Sequence, residues 1–199
     1  MRSLRVVALG DELLTGAGDP KGLGWFGRVQ ARLPQGEDVA FFPLAQIGET
    51  TAELHQRWRT EAMPRFSQNT ENFLVVCPSS KDIEAGITIS RSRLNLASLL
   101  DDALREGVSV LVVGPSPTAV AEYDAEIAHL NEGFADVVKR RGLTYVDCFN
   151  PLKEHEGWVS EVTNHPRRLP GQVGYGLIAW LVLNRGWFEW LGLVESDQS

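Results

Sequence analysis

Short apolar runs, bounded by glycine, proline and polar turns, alternate along the chain with stretches where apolar residues return every three or four positions. The runs at residues 4–9, 39–44, 73–77, 109–114 and 144–146 include "LVVC" and "VLVVG". They are apolar without alternation, as parallel strands covered on both faces require. Helical spacing predicts helices over 24–33, 51–62, 89–106, 121–141 and about 172–184. In the third of these, Leu94, Ala97, Leu100 and Leu104 are expected to face the core. Asp101, Asp102, Arg105 and Glu106 are expected on the opposite side, with Gly107 as the C-cap. The segment "FSQNTEN" reads as a polar turn. Strands alternating with helices predict a three-layer α/β/α sandwich around a mostly parallel five-stranded sheet, expected as a single domain over residues 1–199. Ligands in such sheets bind beyond the carboxyl ends of the strands. Here those ends carry Gly10-Asp11-Glu12, residues 45–48, 78–82, 114–117 and 147–150.

Composition narrows the choice. A length of 199 residues suits one hydrophobic core. A net charge of -7 excludes the basic surface that nucleic acid requires. The first apolar run breaks at Gly10, Asp11 and Glu12, too early for a signal-peptide core. The longest late apolar stretch, 175–183, is about half of a membrane span, so no span is expected. Cys77 and Cys148 show no disulfide or metal spacing and read as buried reduced thiols, consistent with a cytoplasmic protein. His55, His129 and His155 read as surface residues. "GAGDPKGLG" lacks the Gly-Lys-Ser/Thr ending of a phosphate loop and reads as a turn. The tail aromatics Trp180, Trp187, Phe188 and Trp190 either seal a sheet edge or form a homodimer contact.

The strand ends, taken together, resemble the SGNH hydrolases, also called the GDSL lipase/esterase family. "GDELLTGAGDPKGLGWFGRV" is similar to the first block of that family, and "IGETTAEL" to the second. "VVCPSSKDI" stands where a Gly-x-Asn-Asp block belongs, and "VTNHPRRLPGQVGYGLIA" resembles the final Asp-x-x-His-Pro block. The resemblance covers nearly the whole chain and implies an SGNH-hydrolase, flavodoxin-like fold acting on small acyl or ester ligands without a cofactor. It also implies that Glu12 stands at the position of the nucleophilic serine. Lys81 replaces the oxyanion-hole asparagine, with Asp82 retained beside it, and Val162 replaces the triad aspartate. Gly48, which would give a backbone N–H to the oxyanion hole, and His165 remain.

The departures fall on the chemistry. A serine nucleophile needs a base for its proton and a carboxylate to hold that base in one tautomer. An ionised Glu12 has no proton to give. At an expected helix start, beside N–H donors, its carboxylate is favoured as an anion, with Lys81 to offset it. Glu12 then occupies the place of the developing oxyanion and hydrolysis by that route is blocked, as in a pseudoenzyme. A second enzymatic reading has Glu12 share acid and base roles with His165 or Asp82. Relocated nucleophiles at Ser79, Ser80 or Cys77 lack a supporting motif. Glu161, four residues before His165, is the alternative orienting carboxylate if the loop is shifted. Asp11 and Asp82 are candidate ligand contacts. Asp11, Glu12 and His165 do not suit a metal ion, because an adjacent lysine repels it. Two outcomes stay open: a divergent hydrolase, and a binding module for small molecules or a partner on a hydrolase scaffold.

Overall fold

The five apolar runs form one fully parallel sheet, in the order β2-β1-β3-β4-β5. The strands of this computed structural model, which describes residues 2–193, are β1 (Ser3–Gly10), β2 (Asp38–Ala45), β3 (Glu71–Val76), β4 (Ser109–Val113) and β5 (Thr144–Val146). The domain expectation therefore extends past the described residues at 1 and 194–199. Nine α-helices connect or follow the strands among those residues: α1 (Gly24–Gln30), α2 (Thr51–Ala62), α3 (Lys81–Glu84), α4 (Ile89–Arg105), α5 (Ala121–Lys139), α6 (Phe149–Leu152), α7 (Glu156–Asn164), α8 (Gln172–Val182) and α9 (Phe188–Leu191). α7 was absent from the sequence expectation. Only Trp158 and Val162 of its nine residues are buried, too few for a clear 3.6-residue period.

Two cores flank the sheet, because successive side chains of a strand point to opposite faces. Leu4, Val6 and Ala8 of β1 join Phe26, Trp158, Ile178 and Trp187 on one face. Val7 and Leu9 join Trp58, Leu99 and Phe134 on the other. Pro43, which cannot donate to a ladder, lies in β2 at the sheet edge. Gly10 is demanded by packing: a Cβ there would lie 2.8 Å from the Cβ of Cys77, so β1 and the end of β3 could not approach.

One sequence expectation is corrected. The buried face of α4 is Ser92, Asn95, Leu96, Leu99, Leu100 and Ala103, whereas Leu94 and Leu104 are exposed. The helix is rotated toward the row that meets α2 and α5, which local periodicity could not select between two partly apolar stripes. The tail packs beside the edge strand β5 and reaches further. It kinks at Arg185 and Gly186, and Trp190 stacks edge-on to Phe73 at the start of β3, while Trp187 reaches Phe26 of α1. Arg2 donates to the carbonyls of Leu191 and Gly192, closing the bottom of the sheet. Trp180 remains exposed. Cys77 and Cys148 are unbridged, and burial pushes the Cys148 thiol up to about 12. Among the described residues no helix is long and apolar enough to cross a membrane.

Candidate functional site

β1 lies between β2 and β3, so the chain leaves its carboxyl end where the neighbouring connections diverge. A crevice forms at such a point, and Glu12 stands in it. Residues 11–18 are not a helix start, as expected, but a series of tight turns: Leu14 N–H donates to Asp11 O at 3.0 Å and Thr15 N–H to Glu12 O at 3.2 Å. Gly48, in the left-handed region at φ +72°, donates its N–H to Glu12 Oε2 at 2.8 Å. Lys81 Nζ lies 3.5 Å from Glu12 Oε1. Burial alone would raise the Glu12 pKa, but the N–H groups of Gly48 and of Glu12 itself, together with Lys81, hold it below the ordinary glutamate value.

The lysine is shared. Its Nζ lies 3.0 Å from Glu84 Oε1, which also accepts the Tyr123 hydroxyl at 3.1 Å. Burial disfavours the Lys81 cation, yet Glu84 and Glu12 outweigh it and raise its pKa above the usual lysine value. Asp11 is buried and accepts one N–H, from Leu13 at 3.0 Å. Burial raises its pKa to about 6, with the negative Glu12 adding to the shift and the Leu13 bond and Lys81 opposing it. Asp82 lies elsewhere: it is fully buried, and its carboxylate accepts the backbone N–H and hydroxyl of Thr51, fastening the start of α2. Its place is the scaffold and not the cleft wall. The Ser79 hydroxyl donates to the carbonyl of Glu49 at 2.8 Å.

His165, at the end of α7, makes no hydrogen bond to Glu12, Lys81 or Asp82 among the described residues. Its Nδ1 accepts the N–H of Arg167 at 3.2 Å and of Leu169 at 3.3 Å. A neutral imidazole whose Nδ1 accepts must carry its proton on Nε2, a tautomer assigned here from its partners. A triad base needs the opposite arrangement, with Nε2 free to accept. The Nε2 atom faces the turn at Gly18, 3.7 Å from where a Cβ would sit. Val162 is fully buried in the core. Glu161, the alternative orienting group, instead caps α8: its oxygens accept from Gly171 at 2.8 Å, Gly174 at 2.7 Å and Val173 at 3.0 Å.

Beside Glu12 opens a cleft of about 370 Å³, bounded by the turn after β1, the start of α3, the β4–α5 connection and the loop after His165. Trp158 of α7 reaches under it and donates Nε1–H to Pro117 O at 3.1 Å, tying two of these walls. Arg167, Arg168, Tyr123 and Glu84 line the cleft and were not singled out from sequence. The two adjacent arginines after His165-Pro166 were the available signal. Among the described residues no cluster of His, Cys, Asp and Glu is arranged to hold a metal ion.

The model of the GDSL-like lipase/acylhydrolase family matches residues 8–176. No curated protein sequence matches the chain. Among solved structures, a lipase/acylhydrolase from Enterococcus faecalis is 20% identical, with 99% of this chain and 100% of that one covered at a TM-score of 0.75. A catalytic mutant of an acetylxylan esterase from Geobacillus stearothermophilus is 13% identical, with 100% and 99% covered at 0.76. A lipase from a goat rumen metagenome is 17% identical, with 92% and 98% covered at 0.76. At these identities the likeness is one of fold.

Proposed function

The chain belongs to the GDSL-like lipase/acylhydrolase family, and we propose that it is a member in which serine-type ester hydrolysis is lost and the cleft serves to bind a small molecule. One observation carries this reading: the Glu12 carboxylate accepts the Gly48 N–H at 2.8 Å. Acyl transfer needs such a donor free to meet an oxyanion as it develops. Here a fixed carboxylate already holds it. A second anion forming about 4 Å away would meet a repulsion of about 4 kcal/mol at an effective dielectric near 20. Ionised Glu12 has no proton to surrender, and His165 spends its Nδ1 on the N–H groups of Arg167 and Leu169. The rival acid–base reading has less support, since no hydrogen bond joins Glu12 to His165 and Asp82 is engaged by Thr51. The open cleft beside Glu12 supports the binding role.

The test is a screen of p-nitrophenyl esters from acetyl to octanoyl with the purified protein and Glu12→Ala, alongside a fluorophosphonate probe read by intact mass. The expected result is turnover at the level of the buffer blank for both proteins, and no mass change. Stoichiometric labelling at Ser79, Ser80 or Ser116, or turnover that disappears in Glu12→Ala, would overturn the reading.

A further inference from the structure

We propose that the cleft beside Glu12 takes an anionic ligand, a small molecule in which a carboxylate or phosphate group is joined to an apolar body, held by Arg167 and Arg168; this rests on the binding role proposed above. The first support is the pairing of charged side chains within the cleft. Three acidic groups face it, Asp11, Glu12 and Glu84. Glu12 is satisfied by Gly48 and Lys81, and Glu84 by Lys81 and Tyr123. Asp11 is buried and turned to the Leu13 N–H. Lys81 is matched by its two carboxylates. The two guanidinium groups are the charged side chains of the cleft that are held in neither an ion pair nor a hydrogen bond among the described residues.

Among the described residues nine arginines pair with a carboxylate, whereas Arg91 and Arg185, like Arg167 and Arg168, do not. The acidic residues outnumber the basic, 26 to 19, and Arg28, Arg57, Arg93 and Arg141 each pair with a carboxylate. Neither Arg167 nor Arg168 has a side-chain partner among the described residues. Solvated surface arginines are common, but these two are carried on a loop with a fixed course. His165 Nδ1 accepts the N–H of Arg167 and of Leu169, and His165 O accepts the N–H of Arg168 at 2.9 Å. Arg168 adopts a left-handed backbone, φ 54°, a conformation L side chains rarely enter. Backbone strain of this kind persists where surrounding structure imposes it, and it collects at ligand sites. The histidine that has no base role thus holds the turn that brings two planar, permanently charged forks to one cleft. Such forks suit the paired oxygens of carboxylate and phosphate. Leu13, Pro117, Val120, Leu169 and Pro170 supply an apolar wall for the remainder of the ligand, and the volume of about 370 Å³ lies in the range of small-molecule sites.

Calorimetric titration of the full chain with octanoate and with octyl phosphate, in low salt at neutral pH, tests this, with methyl octanoate and octanol as neutral counterparts. At least one anion is expected to bind, at least about tenfold more tightly than its neutral counterpart, and to weaken with added salt. The two anionic arms separate a carboxylate site from a phosphate site. Arg167→Ala with Arg168→Ala should lower the anion affinity at least about tenfold while its Tm stays within about 2 °C of the parent. The Arg167→Lys with Arg168→Lys variant should fall between, because it keeps charge and loses the fork. Equal binding of the neutral compounds, full affinity in the alanine pair, or no binding of either anion up to about 10 mM would overturn the proposal. An octanoyl ester turnover assay run on the same samples separates the two claims. Hydrolysis would refute the loss of activity and leave the anion result to be judged on its own.

Discussion

On the function proposed above, placing serine at position 12 should not produce an esterase. Glu12→Ser removes the carboxylate from the Gly48 N–H and leaves Lys81 paired with Glu84 alone. One oxyanion donor is freed, but on the proposed alignment Lys81 still stands where the family has an asparagine donor; a missing donor typically costs about 10²–10³ in turnover. The larger deficit comes from His165, whose Nδ1 is taken by the N–H groups of Arg167 and Leu169. A wrong tautomer costs about 10⁴ in serine enzymes, or about 5 kcal/mol of barrier. The two losses are not additive, so their product is only a ceiling. The assay is p-nitrophenyl butyrate turnover by Glu12→Ser, by Glu12→Ser with His165→Ala, and by Glu12→Ser with Lys81→Asn and Val162→Asp, each checked for a cooperative melt. The first two should agree within about threefold, because the imidazole is not acting as base in either. The triple variant should exceed the single by at least about a hundredfold, the lower end of one donor's worth. A fall of about a hundredfold or more on adding His165→Ala would refute the tautomer argument, since only a working base loses that much.

Three further outcomes follow from the charges and caps around the site. Lys81→Ala should lower stability by about 1–3 kcal/mol, between the surface and buried ranges for ion pairs, because Lys81 and Glu12 are mostly but not fully enclosed. Equal melting temperatures for Lys81→Ala and the surface control Lys21→Ala would contradict the pairing. Asp11→Asn should stabilise the protein at neutral pH. The folded carboxyl titrates at about 6 against an ordinary value of 3.8, so the native state holds the proton more tightly and its stability falls as pH rises from about 4 to 6. The Asn variant escapes that loss, gaining up to about 3 kcal/mol at pH 7 and little at pH 3.5. A variant-minus-parent Tm difference that is flat with pH would show that Asp11 is not so perturbed. Glu161→Ala should cost about 1–3 kcal/mol, since three N–H donors at the start of α8 lose their acceptor. A neutral result by chemical denaturation would show the cap to be replaceable by water.

The sheet was legible in the sequence because its signal is local. Uninterrupted apolar runs ended by Gly10, Cys77 and Gly114 mark strands whether or not the partner strands are known. The same locality explains the errors. α7 buries only two residues and carries no period to read. α4 offers two partly apolar stripes, and only its contacts with α2 and α5 decide that Leu96 and Leu99 go inward while Leu94 and Leu104 stay out.

The order of motifs along the chain pointed to a hydrolase scaffold and to the substitutions at Glu12, Lys81 and Val162. What became of the site was decided by contacts between residues far apart in sequence. Glu12 meets the N–H of Gly48, and Asp82 meets Thr51, only because β1, β2 and β3 end side by side. Glu161 turns to the start of α8, and His165 to the two N–H groups of its own following loop. Hydrogen bonds have direction and a reach of about 3 Å. Which donor meets which acceptor is therefore set by where the folded chain places them, and spacing along the sequence does not encode it.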